Sequence, residues 1–229
     1  DYFGLSSLYL YDLASKTEKL LKSGVRSNFS FSPDGKRIFY AKTSRGNPHW
    51  SNLFDLYVYD IAADDETRLT HGARANSPAV SPDGKRVAFV SGTDGTLNLC
   101  TMNADGSNIS QLTRYANGEQ VYGPKWSRDG STILFDYSIK DGRDLATVPA
   151  AGGEVRLLLA TANDERNGVY TADGSHIVYA SDKTGIFNLY EYDLATQEST
   201  QLTNLLGGGF MPSVSPDGKL AFASYSSTG

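Results

Sequence analysis

Short apolar runs of five or six residues, separated at near-regular intervals by Asp-Gly, dominate the pattern of hydrophobic and polar positions. A brief apolar stretch precedes each Asp-Gly, and an alternating one follows it, as in Arg86-Val87-Ala88-Phe89-Val90-Ser91. Alternation with period two suits a strand, and Gly supplies the positive φ of a tight turn, so each unit reads as strand, turn, strand. The turns are Ser32-Pro33-Asp34-Gly35, Ser81-Pro82-Asp83-Gly84, Ser127-Arg128-Asp129-Gly130, Thr171-Ala172-Asp173-Gly174 and Ser215-Pro216-Asp217-Gly218, spaced by 44 to 49 residues. A second signature follows each turn or opens the chain: Leu8 to Asp12, Leu56 to Asp60, Leu99 to Asn103, Leu145 to Pro149 and Leu189 to Asp193. Leu20, Leu69, Leu112, Leu157 and Leu202, usually followed by Thr, then close a fourth strand.

Four strands in a repeat of this length make one blade of a β-propeller. The expected fold is therefore all-β, a propeller of four-stranded antiparallel blades in one domain. The blades are expected at about 24–70, 73–113, 120–159 and 165–203. The chain starts with the third and fourth strands of a repeat and stops after the first and second. Joined, 210–229 and 1–22 make a fifth, composite blade closed by the two terminal strands. Such closure would remove exposed sheet edges. A five-repeat slice of a larger propeller is the competing reading.

Composition narrows the function classes. Hydrophobic residues are 39% and charged residues 21% of 229, an ordinary globular balance. A net charge of -5 without a Lys/Arg cluster argues against nucleic-acid binding. The single cysteine, Cys100, excludes an internal disulfide framework and a Cys-based metal site. No stretch is apolar enough for membrane insertion as a helix, and residues 1–12 do not read as a charged-then-apolar leader.

The Ser-Pro-Asp-Gly turns, the Leu-Tyr-x-Tyr-Asp strands and the closures Leu69-Thr70, Leu112-Thr113 and Leu202-Thr203 resemble the WD-like repeat of the TolB family. The resemblance covers essentially the whole chain. It implies a non-enzymatic scaffold that binds a protein or peptide, in the periplasm or another extracytoplasmic compartment. The family protein has six blades and an N-terminal partner-binding domain, neither of which is read here. Similar repeats also serve enzymes, which keeps a second reading open: substrate gating for a peptidase, or a polysaccharide hydrolase or lyase. Arg128 and Ala172 replace Pro, and Ala146 replaces Tyr, so blades three and four are expected to pack less regularly.

No catalytic constellation is apparent. The turn aspartates Asp34, Asp83, Asp129, Asp173 and Asp217 are read as structural, because Asp before Gly accepts local backbone hydrogen bonds. They could otherwise form a cation-binding ring, but no metal or cofactor is expected. Cys100 is read as a buried, inert thiol. His49, His71 and His176 share no ligand spacing, and no Gly-x-Ser-x-Gly elbow occurs. Asp164, Glu165 and Glu119 precede innermost strands and are the carboxylates a glycosidic site would use. Gly207-Gly208-Gly209 reads as a loop at the channel mouth. Better candidates for recognition are positions where the repeats differ. Five residues before each turn Ser or Thr stand Ser27, Asn76, Tyr122, Arg166 and Phe210, which with Glu165 are expected to ring one mouth of the channel. The insertion from Thr43 to Asp55 adds His49, Trp50 and Phe54 as a second candidate surface.

Overall fold

The computed structural model describes residues 6–43, 53–92 and 95–225, and all regular structure in them is β-strand. The first sheet has five strands in chain order: β1 (Ser6–Asp12), β2 (Thr17–Phe31), β3 (Arg37–Thr43), β4 (Phe54–Asp60) and β5 (Asp65–Arg68). The second holds β6 (Ala75–Val80), β7 (Arg86–Ser91), β8 (Asn98–Asn103) and β9 (Ser110–Gln111). The third holds β10 (Gln120–Trp126), β11 (Thr132–Ser138), β12 (Asp144–Pro149) and β13 (Arg156–Leu159). The fourth holds β14 (Glu165–Tyr170), β15 (His176–Ser181), β16 (Asn188–Asp193) and β17 (Ser199–Gln201). The last is a pair, β18 (Gly209–Val214) and β19 (Leu220–Ser224). The all-β expectation, with four-stranded antiparallel sheets in sequence order, holds.

Each turn is locked by its own side chains. Ser32 Oγ donates to Asp34 Oδ1 at 2.5 Å and accepts from Arg37 N at 2.9 Å, while Asp34 Oδ1 also accepts from Lys36 N. The same bond joins Ser81 to Asp83, Ser127 to Asp129, Thr171 to Asp173 and Ser215 to Asp217. These hydrogen bonds favour the charged form, and Asp129 is pulled down to about 2.

The core lies between sheets. Phe39, Ala41 and Leu56 of the first sheet pack on Val87, Phe89 and Cys100 of the second. Val90 and Leu99 of the second pack on Trp126, Ile133 and Phe135 of the third. Leu134 and Leu145 of the third meet Ile177, Tyr179 and Tyr190 of the fourth. Successive residues of a strand face opposite sides. A strand covered on both sides is therefore buried at every position, as Ile38 to Ala41, Val87 to Val90 and Ile133 to Asp136 are.

A composite blade is not formed: among the described residues, β1 pairs only with β2, and β19 only with β18. The reason lies in β2, which runs unbroken for 15 residues. Its first part pairs with β1 and its last part with β3, so the N-terminal hairpin cannot leave the first sheet. Asp12 Oδ1 fixes the hairpin turn by accepting from Ala14 N and Ser15 N. The hairpin then lays Leu8, Leu21 and Val25 over Ile38, Tyr40 and Tyr59. On β19, by contrast, Ala221 to Ser224 are exposed.

The Leu-Thr closures have a specific role. Thr70 Oγ1 accepts from Leu56 N at 2.9 Å and donates to Asp55 Oδ1 at 2.8 Å. Thr113 does the same for Leu99 and Asn98, and Thr203 for Leu189 and Asn188. Each hydroxyl thus ties the start of the third strand to the end of the fourth. Leu159 stands opposite Leu145 in the third sheet, where no such hydroxyl is available. Thr70→Val, which keeps the shape, leaves the buried Leu56 N–H unpaired, and a loss of about 1–3 kcal/mol in urea unfolding is expected. Leu159→Thr, which would add the missing bond to Asp144, is the matching gain-of-bond control.

Candidate functional site

The first strands of the five repeats, β6, β10, β14, β18 and the end of β2, converge on a central channel with a cavity of about 830 Å³. A β-bulge interrupts each of them, at the same place in the last four and one residue earlier in β2, between Arg26 and Phe29. In the last four repeats the pairing breaks between Asn76 and Ala79, Tyr122 and Lys125, Arg166 and Val169, and Phe210 and Ser213. Ser77, Gly123, Asn167 and Met211 take left-handed φ values of 51° to 59° within these breaks. A bulge re-aims the side chains that follow it. Here the residues beyond it line the channel: Phe31, Ala79, Lys125, Trp126, Val169, Tyr170 and Ser213. The cavity opens among the turns, since Pro33, Pro82, Arg128 and Pro216 border it.

Bulged N–H groups fall outside the ladder, and at two of the bulges the preceding blade supplies the acceptor. Asn167 N donates to Asp136 Oδ1 at 3.0 Å and Oδ2 at 3.1 Å, and Met211 N donates to Asn167 Oδ1. Asp136 is almost fully buried, with Arg143 Nη1 at 3.2 Å from Oδ2. Desolvation outweighs these partners and raises its pKa to about 6. The Arg143 guanidinium in turn stacks on the Tyr122 ring at 4.1 Å.

Asn76, Tyr122, Glu165, Arg166 and Phe210, expected to ring a mouth, stand just before the bulges and do not border the cavity, and the Ser27 side chain lies outside the described part of the structure. Asn76 Oδ1 accepts from Ser77 Oγ, and Tyr122 lies under Arg143. Arg166 pairs with Asp164 and lies over the Phe187 ring, while Phe210 packs against Phe187 and Tyr225. Glu165 is buried; Thr161 Oγ1 donates to it at 2.5 Å, and burial raises its pKa. Asp164, Glu165 and Glu119 are thus each held by groups near them in sequence, Glu119 by Asn117 N. Phe54 packs under Arg26, and His49 and Trp50 lie outside the described residues.

Cys100 is 5% exposed and desolvation pushes its thiol up to about 11, the condition of an inert core cysteine. His176 contacts Ser175 and Asp193, and no metal-binding group of His, Cys, Asp and Glu occurs among the described residues. In the triple-glycine loop, a Cβ on Gly207 would lie 1.9 Å from the Tyr225 carbonyl oxygen. Gly209 N donates to the Phe187 carbonyl oxygen and Gly208 O accepts from Tyr225 N, so this backbone packs against protein.

Sequence reasoning missed Lys125, Phe29, Phe31, Met211 and Asp136. Aligning the inner strands on the turn Ser or Thr would have exposed Lys125, which stands where other repeats have Ser30, Ala79, Val169 and Ser213.

Comparison with known proteins agrees with this architecture. Putative TolB from Agrobacterium tumefaciens superposes with a TM-score of 0.79 at 20% identity, over 96% of this chain and 77% of that one. TolB from Acinetobacter baumannii superposes at 0.76 and 20% identity, over 96% of this chain but 54% of that one. The Tol-Pal system protein TolB of Francisella tularensis subsp. tularensis is 42% identical over 50 residues, which are 22% of this chain and 12% of that protein. The model of the TolB beta propeller domain matches residues 31–229, the whole run from the first turn onward. With its repeated turns, its inter-sheet core and that match together, the chain belongs to the TolB beta propeller domain family.

Proposed function

We propose that this protein is a non-enzymatic scaffold of the bacterial cell envelope that docks an extended peptide or protein segment at the turn end of its channel. The carrying observation is a wall of large apolar side chains open to solvent. Phe29, Phe31 and Met211 border the cavity and are 50%, 45% and 66% exposed. Apolar and aromatic groups grouped in a concave site are what a partner desolvates on binding. The name of the Francisella relative supports an envelope role, and the engaged state of Asp164, Glu165 and Glu119 supports a binding over a hydrolytic one.

The test is affinity capture from detergent-solubilised bacterial envelopes, quantified by mass spectrometry. A Phe31→Ala/Met211→Ala double variant should capture the specific partner about tenfold less than wild type, a hot-spot-sized loss. Tyr122→Ala and Phe210→Ala, whose side chains do not border the cavity, should capture it normally. The same capture by the double variant, or loss only in the second pair, would move the docking surface away from the turns.

A further inference from the structure

Two cations on one wall of the channel break the repeat that builds it. Two residues before the turn Ser or Thr, the other inner strands carry Ser30, Ala79, Val169 and Ser213, whereas β10 carries Lys125. One residue after it, the other turns carry Pro33, Pro82, Ala172 and Pro216, whereas this one carries Arg128. A scaffold built with small or apolar residues at four of five equivalent positions has no structural need of a charge at the fifth.

The surroundings make these charges directional. Both side chains border the cavity, and among the described residues no Asp or Glu borders it, although the chain as a whole has a net charge of -5. Arg128 donates Nε to the Thr171 carbonyl oxygen at 3.0 Å, and its terminal nitrogens have no partner among the described residues. Lys125 has no hydrogen-bond or ion-pair partner among the described residues. The neighbouring Asp136 carboxylate is directed to Arg143 and Asn167 instead. Desolvation lowers the Lys125 pKa, and Asp136 only partly opposes this. Both side chains are nevertheless exposed into the cavity, and cations gathered in a cleft focus their field on an incoming anion more than they would on a flat surface.

We infer that Lys125 and Arg128 form a carboxylate subsite in the channel, occupied by an Asp or Glu side chain of an extended, partly apolar partner segment. The inference rests on the peptide-docking reading above and specifies its chemistry. A carboxylate accepts charge-assisted hydrogen bonds from both an ammonium and a guanidinium. The residues beside it in the segment lie on Phe31, Trp126, Tyr170 and Met211, all of which border the same cavity. A free inorganic anion would leave that apolar wall uncovered, and a cavity of about 830 Å³ has room for several residues of chain.

The experiment selects random dodecapeptides by mRNA display on the immobilised 229-residue protein, in parallel with Lys125→Ser and Arg128→Pro. Each substitution installs the residue that other repeats already carry, and circular dichroism melting confirms that the variants fold. Wild type should enrich Asp or Glu at one position flanked by aromatic or aliphatic residues. Changing that acid to its amide in a synthetic selected peptide should weaken binding about tenfold in fluorescence anisotropy. On either variant the acidic preference should vanish, and acid and amide peptides should bind alike. Selected peptides with no acidic preference that still depend on Phe31 and Met211 would overturn this subsite and leave the docking reading intact. An acidic preference unchanged in both variants, or inorganic phosphate competing as well as the acidic peptide, also overturns it. Recovery of no peptide at all defeats the subsite and the docking reading together.

Discussion

Trp126→Ala is expected to destabilise the protein by about 3–5 kcal/mol, the range for deleting a large aromatic from a packed interior. Trp126 is 7% exposed and packs with Ala79, Val90, Leu99 and Ile133 between the second and third sheets. Its indole Nε1–H donates to the Ala79 carbonyl oxygen at 2.8 Å, across that boundary. Arg86 stacks on the ring at 4.7 Å while donating to the Ala150 and Gly130 carbonyl oxygens of the third sheet's turns. The alanine variant therefore loses a buried ring, a hydrogen bond and the surface that orients Arg86. Trp126→Phe keeps most of the ring and loses the donor, so it should cost only about 1–3 kcal/mol. Urea unfolding followed by circular dichroism measures both. An alanine variant within about 1 kcal/mol of wild type would mean that the indole does not join the sheets.

Asp136→Asn should change how stability depends on pH. The folded-state pKa of Asp136 is raised to about 6, above the ordinary aspartate value that the unfolded chain retains. Between those two values the folded state binds the extra proton, so this group favours folding at low pH and loses that contribution as pH rises through about 6. Relative to wild type, the asparagine variant should gain about 2 kcal/mol on going from about pH 4 to about pH 7.5. Asparagine keeps an acceptor for the Asn167 N–H. The difference between the two proteins isolates Asp136, because Glu165 and Asp144, whose pKa values are also raised, titrate equally in both. The lowered turn and Asp55 carboxylates act at lower pH and cancel in the same way. Parallel stability curves would show that the carboxylate is not desolvated in the folded protein.

Strands and turns were legible because their causes are local. Asp-Gly with a preceding Ser or Thr specifies its own hydrogen bonds, and period-two apolar runs specify a two-sided strand. The inertness of Cys100 was readable from its place in such a run. Closure was not legible, because β1 and β19 each carry suitable strand residues, and what decides their pairing is the absence of a break in β2 between Lys22 and Val25. The channel-lining residues were missed for a related reason. Counting back from the turns assumed an uninterrupted strand, whereas the bulges at Ser77, Gly123, Asn167 and Met211 turn the chain before it reaches the channel. Tyr122, Arg166 and Phe210 stand on the near side of those bulges and pack on Arg143, Phe187 and Tyr225. Arg128 was visible as a departure from the turn motif, but its meaning depends on Lys125 beside it, which no motif marks.

The N-terminal hairpin covers Ile38, Tyr40 and Tyr59 of the first sheet. Each sheet meets chiefly the next one, so opening propagates from neighbour to neighbour, as in a repeat array. The hairpin over the first sheet acts as a latch on that process: exposing Ile38, Tyr40 and Tyr59 requires β1 and the first part of β2 to peel away. Phe31, at the far end of β2, is therefore held in the channel wall by the same unbroken strand that closes the latch.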